Sequence, residues 1–358
     1  TMAKKKQICS YIDIMSNKAL RCIAAAYKKE DIKKSEDVEN NLIFIGVAGS
    51  MDPPRPEVKE AVMKCKLAGI KPVMITGDHK NTALAIAKSI NICNSDDQGL
   101  SGEELEKIRD DDLEEAVKKV RVFARVSPNH KLRIVKAFKK NNNIVAMTGD
   151  GVNDAPALKQ ANIGIGMGSG TDVAKDAAAM VLTDDNFATI VNAIEIGRTV
   201  YSNIKKSITY LLAGNLAAII AIVFAVVINW ENPFTTLQLL FINLINDSLP
   251  AIALAFEVAE PNTMNKPPRD INEGILQGGT SSVILIRGII ISIVVIIAQY
   301  LGNKTSPILG AAMAFSTITL SRIFQTLPAR SDNISVFNIG VAKNKYVLGA
   351  IGICFLLY

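Results

Sequence analysis

Three short clusters in this sequence combine a hydroxyl, a flexible backbone and a charge: Thr76-Gly77-Asp78, Thr148-Gly149-Asp150, and Ser127-Pro128-Asn129-His130-Lys131. In the first two, Thr can donate to a phosphate oxygen and Gly lets backbone come close. The Asp can hold Mg²⁺, which takes one or two carboxylates together with phosphate oxygens and water. A single Thr-Gly-Asp is punctuation after a strand; two copies at corresponding strand ends point to a phosphate site. Pro128 suits the first turn of a helix capped by Ser127, which places Lys131 in that turn. There a fixed ammonium can neutralise charge on a transferring phosphoryl group. A fourth cluster, Asn243, Asn246 and Asp247 followed by Pro250, lies in apolar sequence. An acid at membrane depth is expensive and marks a functional site. Asn243 and Asp247, four apart, are predicted to share a helix face, and Pro250 frees the carbonyl of Asn246. With Asn215 from the preceding apolar run these oxygens form a predicted cation site, although Asn215 alone would serve equally as glue between helices.

The elements that must position these groups divide the chain in two. Short apolar runs at 41–49, 71–76, 120–125, 143–148, 162–166 and 180–183 read as strands covered on both faces. Helical patterns at 56–68, 81–89, 129–139 and 155–160 alternate with them, which predicts an α/β doubly wound parallel sheet. Ligands of such sheets sit beyond the carboxyl ends of the strands, where both Thr-Gly-Asp segments fall. From residue 207 onward the pattern changes. Apolar runs at 207–229, 237–256, 283–301 and 308–327 are each about long enough to span a bilayer, roughly 20 residues, and a shorter run occupies 346–358. This half reads as an all-α transmembrane helical domain in a lipid bilayer. Lys205-Lys206, the basic residues of 266–269, Arg330 and those of 343–345 occupy alternate joints, while 230–236 and 302–307 carry little positive charge. The positive-inside rule then puts the soluble half in the cytoplasm, with Trp230 and Tyr300 at the outer interface.

The 358 residues carry a net charge of +6, with basic residues scattered rather than interleaved with aromatics, so nucleic acid is not an expected partner. The five cysteines are widely spaced and form no C-x-x-C pair, which fits reduced thiols rather than a disulfide framework or a zinc site. The chain opens at Thr1 and closes inside an apolar run, and both ends are expected to be cuts.

Gly149-Asp150-Gly151-Val152-Asn153-Asp154-Ala155-Pro156-Ala157-Leu158 resembles the hinge motif of P-type ATPases, a branch of the haloacid-dehalogenase superfamily. Met51-Asp52-Pro53-Pro54-Arg55-Pro56 resembles a second motif of that family, Thr76-Gly77-Asp78 a third, and Ser127-Pro128 with Lys131 a fourth. The resemblance implies a Mg²⁺-dependent, ATP-driven cation pump working through an aspartyl phosphate. It makes Asp150 the Mg²⁺ ligand, Asn153 and Asp154 supports of the phosphate site, and Lys131 the contact to the phosphorylated aspartate. Thr76, Gly77 and Asp78 serve both catalysis and nucleotide binding, and Arg21 and Arg125 contact ATP. The implied domains are 1–35, the end of a nucleotide-binding domain; 36–198, the phosphorylation domain; and 199–358, membrane helices five to nine. The family's Asp-Lys-Thr-Gly and Thr-Gly-Glu motifs are absent, so the N-terminal half of the pump is an expected partner and this stretch alone is expected to be inactive. Residues 240–255 resemble the sixth helix of type II calcium pumps, which makes Asn243, Asn246, Asp247 and Asn215 ligands of transported Ca²⁺ in a plasma-membrane pump. Ala218 and Thr319 stand where two-ion pumps carry glutamates, with Arg322 nearby, which implies one Ca²⁺ per cycle. The alternatives are a pump for Na⁺/K⁺ or Mn²⁺, or a non-catalytic membrane-anchored remnant.

Overall fold

The computed structural model describes residues 2–16, 18–29, 42–94, 99–331 and 334–358. They form two compact units, Thr1–Asn192 with Met264–Ile271, and Ala193–Thr263 with Asn272–Tyr358. The domain boundary expected at 35/36 lies outside the described residues.

In the first unit, helix α1 (Met2–Ser16) precedes strands β1 (Arg21–Tyr27) and β2 (Ile43–Ser50), which pair antiparallel from Arg21 opposite Ser50 to Tyr27 opposite Ile43. The run at 41–49 is thus a strand from Ile43 onward, but it belongs to this separate ribbon and not to a parallel sheet. An unbroken apolar run signals a strand without saying which neighbour it joins; Leu42 is not part of the strand, and Asn41 lies outside the described residues. The chain continues as α2 (Pro56–Leu67), β3 (Met74–Thr76), α3 (Lys80–Ser89), β4 (Gly99–Ser101), α4 (Gly102–Lys107), α5 (Asp110–Ala116) and β5 (Val122–Ala124). Next come α6 (Pro128–Lys140), β6 (Ala146–Gly149), α7 (Ala155–Gln160), β7 (Ile163–Met167), α8 (Asp172–Ala177) and β8 (Met180–Leu182).

The parallel strands form two ladders, β3-β5-β4 and β6-β7-β8. The middle strand β5 shows why its sequence is continuously apolar. Val122, Phe123 and Ala124 are all fully buried, and successive side chains point to opposite faces. Val122 and Ala124 pack with Val62, Ala83 and Ala87, whereas Phe123 packs with Leu105, Leu113 and Ile134. Helix α6 ties the two ladders together. Its buried His130, Ile134 and Ala137 recur at helical spacing; Ile134 packs with Phe123 and Ile75, and Val135 with Met147 and Leu158. Both Thr-Gly-Asp strands are therefore anchored against one helix.

The second unit opens within α9 (Phe187–Val227), a helix of 41 residues. It continues with α10 (Thr236–Phe241), a widened π-type turn at Ile242–Asp247, α11 (Ser248–Ala255), α12 (Thr280–Asn303), α13 (Pro307–Gln325), the single-turn α14 (Val336–Ile339) and α15 (Lys345–Leu357). Among the described residues, four helices are long and apolar enough to cross a membrane: Phe187–Val227, Thr236–Ala255, Thr280–Asn303 and Pro307–Gln325. This is a multi-pass membrane chain. Small residues of α9, Ala217, Ala218 and Ala221, pack with Ile291 and Val295 of α12 and Ala314 and Ile318 of α13, as close helix approach in lipid requires. Trp230 stacks on Tyr300, with ring centroids 6.1 Å apart.

Arg330, read from sequence as a charge in a basic joint, is instead fully buried. Its Nε and Nη2 each donate to Glu257 at 2.9 Å, and its Nη1 donates to the carbonyls of Gly340 and Val341. Asn344 donates 2.9 Å to the same carboxylate. Arg330→Ala would leave the Glu257 charge buried without its partner. It is expected to lower the stability of the detergent-solubilised chain by about 3–5 kcal/mol, read by thermal unfolding, whereas Glu257→Gln with Arg330→Met together should be milder than Arg330→Ala alone.

Candidate functional site

The first site gathers at the carboxyl ends of β3, β5 and β6. Thr76 closes β3, and its hydroxyl bonds the Asp78 carboxylate and accepts the Asp78 N–H, both at 3.1 Å. This local turn fixes Gly77 on the outside. The chain leaving β5 crosses to it: the Arg125 N–H donates to the Asp78 carbonyl at 3.1 Å and the Val126 N–H to the Thr76 carbonyl at 3.4 Å. Arg125 occupies the left-handed region at φ 49°, uncommon for a side chain of its size, with its side chain exposed. Arg21 does not join this group. It is exposed on β1, opposite Ser50, in a ribbon separate from both ladders.

Helix α6 delivers Lys131. Ser127 accepts the His130 N–H at 3.3 Å, and His130 Nδ1 accepts the Ser127 N–H at 3.2 Å, so a histidine closes the capping box usually closed by Glu or Gln. Nδ1 is therefore the acceptor nitrogen, and Nε2 carries the proton and donates to Glu106 at 2.6 Å. One residue on, Lys131 Nζ bonds Asp154 Oδ1 at 2.5 Å. Asp154 Oδ2 accepts the backbone N–H groups of Asp150 and Gly151, each at 3.3 Å.

Asp150 and Asp154 thus differ sharply. Asp154 is 5% exposed and tied on both oxygens. Asp150 is exposed, and among the described residues no hydrogen bond or ion pair engages its carboxylate. Thr148 and Asn153 are also exposed beside it. A free carboxylate next to a hydroxyl at a strand end is a hard oxygen donor set that fits Mg²⁺ shared with a phosphate. Asp154 instead orients Lys131 and the 150–151 backbone.

Sequence reasoning missed the seat of the Arg55 segment. Hydrogen bonds from Thr189 to Asp184 and from Ser169 to Asp185 hold both carboxyls below their usual range, the Arg55 charge adds a smaller pull on each, and Asn186 donates 3.1 Å to Glu57. An Asp-Asp-Asn run immediately before a helical pattern is an N-cap signal that could have pointed there.

The second site lies in the membrane unit. Asp247 and Arg322 form an ion pair, with side chains 2% and 1% exposed. Residues 75 positions apart reveal no such pairing by pattern alone. A Cβ at Gly214 would run into the Arg322 guanidinium, so α9 needs glycine there to let Arg322 in. The carbonyl freed by Pro250 is real but occupied: Tyr210 donates to the Asn246 carbonyl at 3.2 Å. The π-type turn shifts which residues face inward. Ile242, Asn246 and Asp247 are buried, while Asn243 is exposed, so Asn243 and Asp247 do not share the inner side. Asn215 is exposed as well. Among the described residues, Asn246 Oδ1 and Asp247 Oδ1 are buried without a partner.

Comparison with known proteins places this geometry. A model for haloacid dehalogenase-like hydrolases matches residues 13–162, and one for the C-terminus of cation transporting ATPases matches 231–358. A calcium-transporting ATPase 1 of Lactococcus lactis is 57% identical over 99% of this chain and 41% of its own length. A calcium-transporting ATPase of Listeria monocytogenes is 56% identical over 96% of this chain and 39% of its own length. One from Bacillus subtilis is 44% identical over 94% and 38%, respectively. The chain spans about two fifths of the length of these curated relatives.

Burial pushes the Asp154 carboxyl up, but the Lys131 ammonium and the two backbone N–H groups outweigh it and hold the group below the usual carboxylate range. A depressed carboxylate contributes stability above its unfolded value, about 3.9, and loses it as pH falls through the folded value. Acid unfolding of wild type below about pH 4 should therefore include a component that Asp154→Asn removes, measured as a flatter stability profile in that window.

Proposed function

We propose that this chain is part of a P-type cation-transporting ATPase and supplies the phosphate-site supports and part of the ion site of a pump that exports Ca²⁺. The observation that carries the first half is the contrast between free Asp150 and tied Asp154, four residues apart at the end of β6. Mg²⁺ held by Asp150 would neutralise phosphate charge. Lys131, fixed in the first turn of α6 by Asp154, presents an ammonium to a phosphoryl group at the same edge. The Thr76 hydroxyl and the Gly77 backbone offer donors on the neighbouring strand end, and Asp78 holds that turn in shape. Asn153, exposed beside them, supports the phosphate. Arg125, and Arg21 from the separate ribbon, are the proposed contacts to ATP. The nucleophilic aspartate is not in this sequence, so phosphorylation and hydrolysis require the rest of the pump.

For the ion, Asp247 and Asn246 are the buried oxygen donors, and Asn243 and Asn215 face away from them. The calcium assignment draws on the curated relatives, all described as calcium-transporting ATPases. Ala218 and Thr319, standing where two-ion pumps carry glutamates, support a single Ca²⁺ per cycle. We place the first unit in the cytoplasm on the distribution of basic joints, and the pump in the plasma membrane on the resemblance of residues 240–255 to type II calcium pumps. Identity running through both units does not favour a degenerate remnant.

In the full-length pump reconstituted in vesicles, Ca²⁺ should stimulate ATP hydrolysis. Stimulation by Na⁺ and K⁺ but not Ca²⁺ would overturn the assignment. Asp150→Ala should abolish Mg²⁺-dependent phosphorylation with Ca²⁺ binding largely intact. Asp247→Ala should keep phosphorylation by inorganic phosphate and lose activation by Ca²⁺. Equal loss of both properties in either variant would count against this division of labour.

A further inference from the structure

The loop between β7 and α8 touches Asp150 from the side opposite Asp154. The Thr171 N–H donates 2.8 Å to the Asp150 carbonyl, while the Asp150 N–H is held by Asp154. Both ends of the Asp150 residue are thus gripped, and its carboxylate is the part left free. The grip at the carbonyl is close: a Cβ at Gly170 would meet the Asp150 carbonyl oxygen at 2.8 Å and its Cα at 3.0 Å. The loop is itself held from behind. Gly168 N–H donates 2.7 Å to the Leu182 carbonyl, and the Ser169 N–H is shared between both carboxylate oxygens of Asp185, at 3.2 and 3.3 Å. Asp185 adopts φ 51°, a left-handed conformation that a non-glycine residue keeps only where its surroundings enforce it. Its neighbour Asp184 does something else. Asp184 accepts from the Asn186 N–H at 3.2 Å and from the Thr189 hydroxyl at 2.5 Å, closing the start of α9.

We propose that Asp185 is a positioning residue for the metal carboxylate: through Ser169 it presses the 168–171 loop onto Asp150 and so sets the direction in which that carboxylate points. This rests on the reading of Asp150 as the Mg²⁺ ligand. A group that orients a metal ligand without touching the metal commonly accounts for about 10-fold or more in affinity. Asp184, bearing the same charge one residue away, lacks the connection and serves as the control.

The test uses Mn²⁺ as a paramagnetic stand-in for Mg²⁺, titrated into the detergent-solubilised chain with free ion read by electron paramagnetic resonance. Asp150→Asn should abolish the site. Asp185→Asn should weaken it about 10-fold, and amide exchange at Ser169 and Thr171 should quicken in the same variant. Asp184→Asn should bind as wild type does. Gly170→Ala, which leaves every carboxylate in place and drives a methyl against the Asp150 carbonyl, should weaken Mn²⁺ binding as Asp185→Asn does. Unchanged binding in Asp150→Asn would overturn the ligand assignment itself. Loss in Asp150→Asn with wild-type affinity in both Asp185→Asn and Gly170→Ala would overturn the positioning role alone. Equal weakening by Asp184→Asn, or weakening by Asp185→Asn without faster exchange in the loop, would also overturn it, by showing an effect of charge rather than of the loop.

Discussion

A carboxylate withdrawn from water must be met by a cation or by hydrogen-bond donors, and the arrangement of both units follows from how that demand is answered. Asp247 and Glu257 make the comparison direct. They flank α11, are buried to the same degree, and each faces an arginine. Glu257 is answered completely, with two bonds from Arg330 and one from Asn344. Asp247 has Arg322 on one oxygen, while its other oxygen and the Asn246 amide oxygen have no partner among the described residues. A saturated acid is a structural clamp. An acid with an open oxygen beside another open oxygen has coordination to offer, and that is the physical content of calling one a support and the other a site.

The same rule sorts the carboxylates of the phosphate site. Asp154 is saturated by Lys131 and two backbone donors, and its neighbour in the motif, Asp150, is not. Four residues and one turn separate a group that builds the site from a group that acts in it. The strands here have three to five residues, too short to hold their own ends rigidly by ladder bonds. The rigidity comes from α6, whose Ile134 and Val135 each grip a different ladder, and from side-chain bonds that lock the loops one at a time.

Much of this was legible in the sequence because it is local. Capping by Ser127, the turn at Thr76 and the free carbonyl before Pro250 all follow from residues within a few positions of one another. The strand and helix runs were placed to within a few residues for the same reason, except that α9 begins at Phe187, twenty residues before the apolar run at 207–229, because its first part is polar. What escaped was long-range or a matter of register. Arg322 approaches Asp247 only because Gly214, on a third helix, clears its path. The π-type turn rotates Asn243 outward, and no spacing rule for an α-helix anticipates an extra residue in the turn. The strand β4 reads Gly-Leu-Ser, with no apolar run to mark it. The antiparallel partner of β2 was hidden because apolar runs look alike in either kind of ladder.

Charge arithmetic at the ion site sets what the second unit can do by itself. Asp247 contributes one negative charge and Arg322 one positive, so the pair is neutral, and Asn246 adds only a dipole. A divalent cation placed against a neutral pair gains only the weak attraction of a dipole to offset the loss of its water. Under the proposed function, then, Asp247 can hold Ca²⁺ only when a further carboxylate is supplied from outside this chain, or when Arg322 turns away from it. Either event makes ion affinity depend on the conformation of the surrounding helices rather than on Asp247 alone. A pump needs that dependence, since a site of constant affinity would bind its ion on one side of the membrane and never release it on the other.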